Sequence, residues 1–141
     1  MNSLIKLSKK TTIALHALAY IAANGENHLC PVKKIAVALD VSPTFLAKVL
    51  QPLVKLDILE STRGAHGGFS LLKSAKELTL LDLILTINGP FSTSYCLFEQ
   101  PTCKTGSCIF SELNIKIAHI IFDSLSKSTL ADFSEGFLLV D

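Results

Sequence analysis

The chain has 141 residues, 49% apolar and 18% charged. That is the composition of one packed globular body rather than of a disordered segment or a multidomain machine. The net charge of +1 hides an asymmetry: residues 1 to 76 hold ten Lys/Arg and four Asp/Glu, a balance of +6, while residues 77 to 141 hold three and eight, a balance of −5. A basic half suits a polyanion, and the acidic half must do something else. The longest near-continuous apolar run, Ile13 to Ala23, is interrupted by His16 and falls short of the roughly 18 residues a membrane span needs. The first residues lack the layout of a secretory signal, so a cytoplasmic location without membrane contact is expected.

Ser8 is placed to cap a helix from about Lys9 to Ala23, closed by Asn24-Gly25. A short second helix is expected from Val32 to Leu39, with Ile35, Ala36 and Leu39 on one face and Lys33 and Lys34 on another. Asp40-Val41-Ser42 breaks it, and Ser42-Pro43 starts a third helix, since serine accepts free amide hydrogens and proline is tolerated at the first helical position. Phe45, Leu46, Val49 and Leu50 recur along it at helical spacing, and Pro52 is expected to interrupt it. Two helices joined by a three-residue turn with Val41 buried inside form the layout of a helix-turn-helix.

Ile58 to Ser61 and Phe69 to Leu72 read as two short strands around a glycine-rich tip, Thr62-Arg63-Gly64-Ala65-His66-Gly67-Gly68. This is the pattern of a wing, with Arg63 and His66 able to reach along a DNA backbone or into the minor groove and the glycines allowing close approach to a phosphate. Thr79 then caps a short helix carrying Leu80, Leu81, Leu83, Ile84 and Ile87, ended by Asn88-Gly89-Pro90. Residues 91 to 108 show no periodicity. A last long helix begins near Cys108 or Ile109, with Phe110, Leu113, Ile117 and Ile120 at coiled-coil spacing and Ile115, Ala118, Phe122 and Leu125 on a second stripe. A helix apolar on two faces needs two neighbours, its own domain and a partner subunit, so a two-fold homodimer is expected. Residues 127 to 141 carry no readable pattern. The expected fold is mostly α with a small β-hairpin: a winged helix-turn-helix domain over 1–78, then a cysteine loop and long C-terminal dimerisation helix over 79–141.

Of four cysteines, Cys96, Cys103 and Cys108 lie as C-x6-C-x4-C in the aperiodic loop. Without a sign of export, this favours metal or redox chemistry over a disulfide framework. Zinc sites use closer pairs, whereas an iron–sulfur cluster accepts wider spacing and a non-cysteine ligand. Cys30, between Leu29 and Pro31, reads as a small buried residue.

The function these features favour is a DNA-binding regulator on double-stranded DNA with an iron–sulfur sensor. Lys9, Lys10, Lys33, Lys34, Lys48 and Arg63 would contact phosphates, and Ser42, Pro43, Thr44, Lys48 and Gln51 would lie at the groove. Zinc or thiol oxidation in place of a cluster is the second reading. An iron–sulfur electron carrier is the third, and it leaves the basic half without a purpose. No Ser/His/Asp constellation, paired-carboxylate motif or phosphate loop is visible, which argues against an enzyme.

Several segments together resemble the IscR/NsrR-type winged-helix regulators of the Rrf-two superfamily. They are Leu7-Ser8-Lys9, Ile35-Ala36, Val41-Ser42-Pro43-Thr44-Phe45-Leu46, Ser61-Thr62-Arg63-Gly64 with Gly67-Gly68, Leu80-Leu81-Asp82-Leu83-Ile84, Asn88-Gly89-Pro90 and the three-cysteine loop. The resemblance spans residues 5 to about 135. It implies a homodimeric repressor on a partly palindromic operator, sensing redox state, nitric oxide or iron–sulfur supply through a [2Fe–2S] or [4Fe–4S] cluster on Cys96, Cys103 and Cys108. Some members use a histidine after the third cysteine as fourth ligand, but Ser111 stands there with Glu112 beside it. Others borrow a ligand from the partner's first helix, where Thr12 and His16 stand here, so the fourth ligand is expected to be His16 of the partner subunit or Glu112. Ala47 occupies a position where relatives often carry a polar base-contacting residue.

Overall fold

A computed structural model describes residues 7–25, 28–91, 108 and 110–136. Among these residues the order is α1 (Lys9–Asn24), α2 (Val32–Ala38), α3 (Pro43–Lys55), β1 (Leu59–Thr62), β2 (Gly68–Leu71), α4 (Leu80–Asn88), α5 (Ser111–Lys127) and α6 (Leu130–Glu135). The expected mostly helical fold with one hairpin is present. Hydroxyls define four of the helix starts: Ser8, Ser42, Thr79 and Thr129 accept hydrogen bonds from the backbone N–H groups of Thr11, Phe45, Asp82 and Asp132. Two turns use aspartate in the left-handed region, Asp40 at φ 50° and Asp57 at φ 54°, a conformation its short polar side chain tolerates better than most.

Helix α1 is the centre of the molecule. Ala14, Ala17, Leu18 and Ala19 have no exposed surface, which requires neighbours all round, and α3, α4, α6 and β2 supply them. Runs of alanine let those neighbours approach closely. Leu46, Val49, Leu50 and Leu53 form the buried side of α3, and Leu83, Ile84 and Leu130 join the same core from α4 and α6. Thr11, the fully buried hydroxyl of α1, donates to Oδ1 of Asn88 at 3.0 Å. That commits its proton, so Ser8 must donate in the 2.8 Å contact between the two hydroxyls. This chain of hydrogen bonds ties the start of α1 to the end of α4.

The hairpin is antiparallel with Leu59 opposite Leu71 and Thr62 opposite Gly68. Cys30 adds a third, single-residue rung: its N–H donates to Phe69 O at 2.8 Å and its carbonyl accepts from Phe69 N at 2.9 Å. Burial pushes the Cys30 thiol above its ordinary range, with Lys34 pulling the other way, in keeping with a packed structural cysteine.

Three expectations change. Helix α3 is not interrupted at Pro52 but runs on to Lys55; Pro52 is exposed, so the Lys48 carbonyl it leaves without an amide partner can turn to water. Phe45 does not join the buried stripe of α3 and is 38% exposed. The segment after residue 127, which carried no readable pattern, contains α6. A capping box starts that helix, in which Thr129 N–H and Oγ1 both donate to Asp132 Oδ2 at 2.8 Å. These bonds hold the Asp132 carboxyl below its usual range. Residues 128–130 also pair with 78–80 through Leu80 N–Ser128 O and Leu130 N–Leu78 O, both 2.8 Å. The chain therefore returns to pack α6 on α1.

Candidate nucleic-acid interface and sensor loop

Helices α2 and α3 meet at 110°, within the range of helix-turn-helix units. The turn between them is closed by Val41 N–H donating to Ala36 O at 3.0 Å, and Val41 is half-buried against the core. Every DNA-contact candidate named from the sequence is exposed: Lys9, Lys10, Lys33, Lys34, Ser42, Pro43, Thr44, Lys48, Gln51, Arg63 and His66. Thr44, Lys48 and Gln51 recur at i, i+4 and i+7 on the side of α3 opposite Leu46, Val49, Leu50 and Leu53. Ala47 is half-buried and has no polar group to offer a base. Arg63 and His66 sit on the tip between β1 and β2.

The helix ends carry a second electrostatic signature. The first turns of α1, α2 and α3 contain no acidic residue, and Lys9-Lys10 and Lys33-Lys34 lie at the starts of α1 and α2. The first turns of α4, α5 and α6 hold Asp82, Glu112 and Asp132. Cations at a helix N-terminus oppose the helix dipole, at a cost of a few tenths to about 1 kcal/mol each. Bound phosphates reverse that sign, because the free N–H groups and the lysines then face the same anion.

Two glycines in the wing have identifiable duties. Gly64 has φ +107°, a conformation side chains rarely adopt. At Gly68 a Cβ would lie 2.2 Å from the Cys30 carbonyl oxygen and 2.6 Å from its carbon. Gly68 is thus required by the Cys30 rung, and the close approach it permits is to protein backbone rather than to a phosphate.

Cys96 and Cys103 lie outside the described residues. Cys108 is half-buried just before α5, and its carbonyl accepts from Ser111 N–H at 3.1 Å and Ser111 Oγ at 2.8 Å. Before the loop, Phe91 packs edge-on against Phe122 of α5, with ring centroids 5.2 Å apart. Of the two fourth-ligand candidates, Glu112 is paired with Lys116 at 2.7 Å on an exposed helix face. His16 is half-buried, its Nδ1 lies 2.7 Å from Thr12 O, and its ring meets Phe133 of α6 edge-on at 5.5 Å. Among the described residues no three His, Cys, Asp or Glu side chains converge on one metal-sized point. No single described helix is long and apolar enough to cross a membrane.

Helix α5 has no buried residue, and Leu113, Ile115 and Ile120 are 47%, 44% and 67% exposed. Within the chain it packs on α4 and on Phe91, with Leu125 reaching the core.

Comparison with known proteins agrees with this geometry. Residues 7–136 match the Rrf2 family, described as an iron-dependent transcriptional regulator. The chain is 36% identical over 131 residues to Protein aau3 of Rhizobium meliloti, covering 91% of this chain and 84% of that one. It is 29% identical over 135 residues to the HTH-type transcriptional regulator NsrR of Oceanobacillus iheyensis, covering 91% and 88%. The fold is similar to that of CymR, the global cysteine regulator of B. subtilis, with a TM-score of 0.78, 25% identity and coverage of 94% of this chain and 98% of that one. The chain belongs to the Rrf2 family of transcriptional regulators and is a DNA-binding protein, not an enzyme.

Proposed function

We propose that the chain is a cytoplasmic, homodimeric repressor of a partly palindromic operator, in which residues 1–78 bind DNA and residues 79–141 sense and dimerise. The observation that carries the DNA-binding half is the 110° helix pair with exposed cations and no acidic residue in the first turn of either helix. Lys9, Lys10, Lys33, Lys34 and Arg63 neutralise phosphates, while Pro43, Thr44, Lys48 and Gln51 meet base edges from a helix start held by the Ser42 cap, and His66 accompanies Arg63 on the wing. The dimerisation reading rests on α5, where Leu113, Ile115 and Ile120 stand exposed.

Cys96, Cys103 and Cys108 would hold an iron–sulfur cluster, [2Fe–2S] or [4Fe–4S]. The donor set fits: three thiolates are soft anionic ligands, and Cys108 stands half-buried just before α5. His16 of the partner subunit suits the fourth position better than Glu112. Its Nδ1–H donates to the Thr12 carbonyl, the kind of outer bond that orients metal-binding histidines. When bound, the cluster supplies iron that can be oxidised or take up an exogenous ligand. The chain's part is to couple the cysteines to α5 and α1. Phe91 against Phe122 and Cys108 against Ser111 join the two ends of the loop to α5, and Asn88 at the end of α4 accepts a hydrogen bond from Thr11 of α1. Gain or loss of the cluster would then alter dimer geometry and the spacing of the two α3 helices. The likeness to a global cysteine regulator supports a second reading, in which zinc or thiol oxidation replaces the cluster.

An operator selected from random duplexes tests the DNA reading through its salt dependence. Affinity is expected to fall with log-log slope of about −0.9 per phosphate contact, and Arg63→Ala should lower that slope by about one unit per half-site while weakening all sequences alike. A flat salt response would contradict it.

A further inference from the structure

Phe45, in the first turn of α3, is a 38% exposed aromatic residue. At about 100° per residue it lies roughly a quarter-turn from the centre of the buried stripe, on the side of Lys48. The buried face is complete without it: Leu46, Val49, Leu50 and Leu53 occupy that side. Its backbone N–H donates to Ser42 Oγ at 3.1 Å, so the cap that starts the helix also fixes the ring's origin beside Thr44 and Lys48. An exposed aromatic gains nothing from water, and a phenyl ring can neither donate to nor accept from a base edge.

We propose that Phe45 is a specificity-determining residue whose ring packs on the C5-methyl of a thymine in the major groove, at one position of each half-site. The inference rests on the DNA-binding reading given above. Among the groups a base pair displays in that groove, the thymine methyl is the large apolar one. Against any other edge the ring would desolvate a polar group without replacing its hydrogen bond. With Ala47 offering no polar contact, the reading surface of α3 joins the Phe45 ring to Pro43, Thr44, Lys48 and Gln51.

The test is a uracil scan of the selected operator, in which dU replaces each thymine in turn and removes only the methyl. Symmetric replacement at one position should weaken binding about fourfold per half-site, with the other positions neutral. In Phe45→Ala, affinity for the thymine operator should fall by at least the same factor and the uracil penalty should vanish. Phe45→Leu should retain part of it. Equal unfolding midpoints for the variants and parent establish that folding is unaffected, and should Phe45→Ala unfold, the scan on the parent with Phe45→Leu decides. A scan neutral at every position, or a penalty unchanged in Phe45→Ala and Phe45→Leu, overturns the proposal. A parent that selects no operator overturns the DNA-binding reading itself and the proposal with it.

Discussion

A chain carrying Ile120→Glu is expected to sediment as a folded monomer and to bind its operator at least about 100-fold more weakly than the parent. Ile120 is 67% exposed on a helix none of whose residues is buried by its own chain, so the substitution removes no intrachain core contact and helix content should be retained. Burying one isoleucine contributes roughly 1.5–3 kcal/mol, and a two-fold axis doubles each change, giving about 3–6 kcal/mol before the cost of burying two carboxylates. Operator affinity follows because two half-sites held by one dimer act at high effective concentration, whereas two monomers must bind separately. Sedimentation equilibrium gives the mass and an operator titration gives the affinity. A dimer that persists in the variant would move the interface off α5.

Gly68→Ala should lower stability by about 3 kcal/mol, the upper end of ordinary overpacking, because the atoms in the way are backbone rather than the end of a flexible side chain. The new Cβ would lie 2.2 Å from Cys30 O and 2.9 Å from Pro31 N. Relief requires the Cys30–Phe69 rung to open, and that rung fixes the wing to the segment preceding α2. Operator affinity should fall as well, since Arg63 is carried on the displaced hairpin. Gly136→Ala is the matching control, with nothing within 4 Å of the added carbon. Thermal or denaturant unfolding of the two variants makes the comparison, and equal midpoints would show that the wing is not held by this rung.

Much of the architecture is legible in the sequence because local chemistry writes it. Ser8, Ser42-Pro43 and Thr79 mark three helix starts where the structure has them, and the glycine-rich tip between two short apolar runs marks the wing. What was not legible depends on distant partners. Thr129 and Asp132 form a recognisable capping pair, but α6 has six residues, too few to show a period, and it is a helix because α1 and the 78–80 segment receive it. Phe45 shares its spacing with Leu46, Val49 and Leu50, and periodicity cannot tell the edge of a stripe from its centre. Pro52 reads as a break until its face of α3 is known to be wet. Gly68 reads as loop freedom until Cys30, 38 positions earlier, is found against it. The exposed cations of the DNA face were legible as charge, and the absence of acid from the first turns of α1, α2 and α3 was available as a further signal once those starts were fixed.

The sensing claim is tested most directly by counting iron and acid-labile sulfide in protein purified without oxygen, beside a Cys103→Ala variant, with operator affinity measured on both. The account predicts a coloured parent with iron and sulfide in equal amounts, loss of both in the variant, and a change in operator affinity on losing them. A colourless parent that resists reconstitution and binds its operator as the variant does would contradict it.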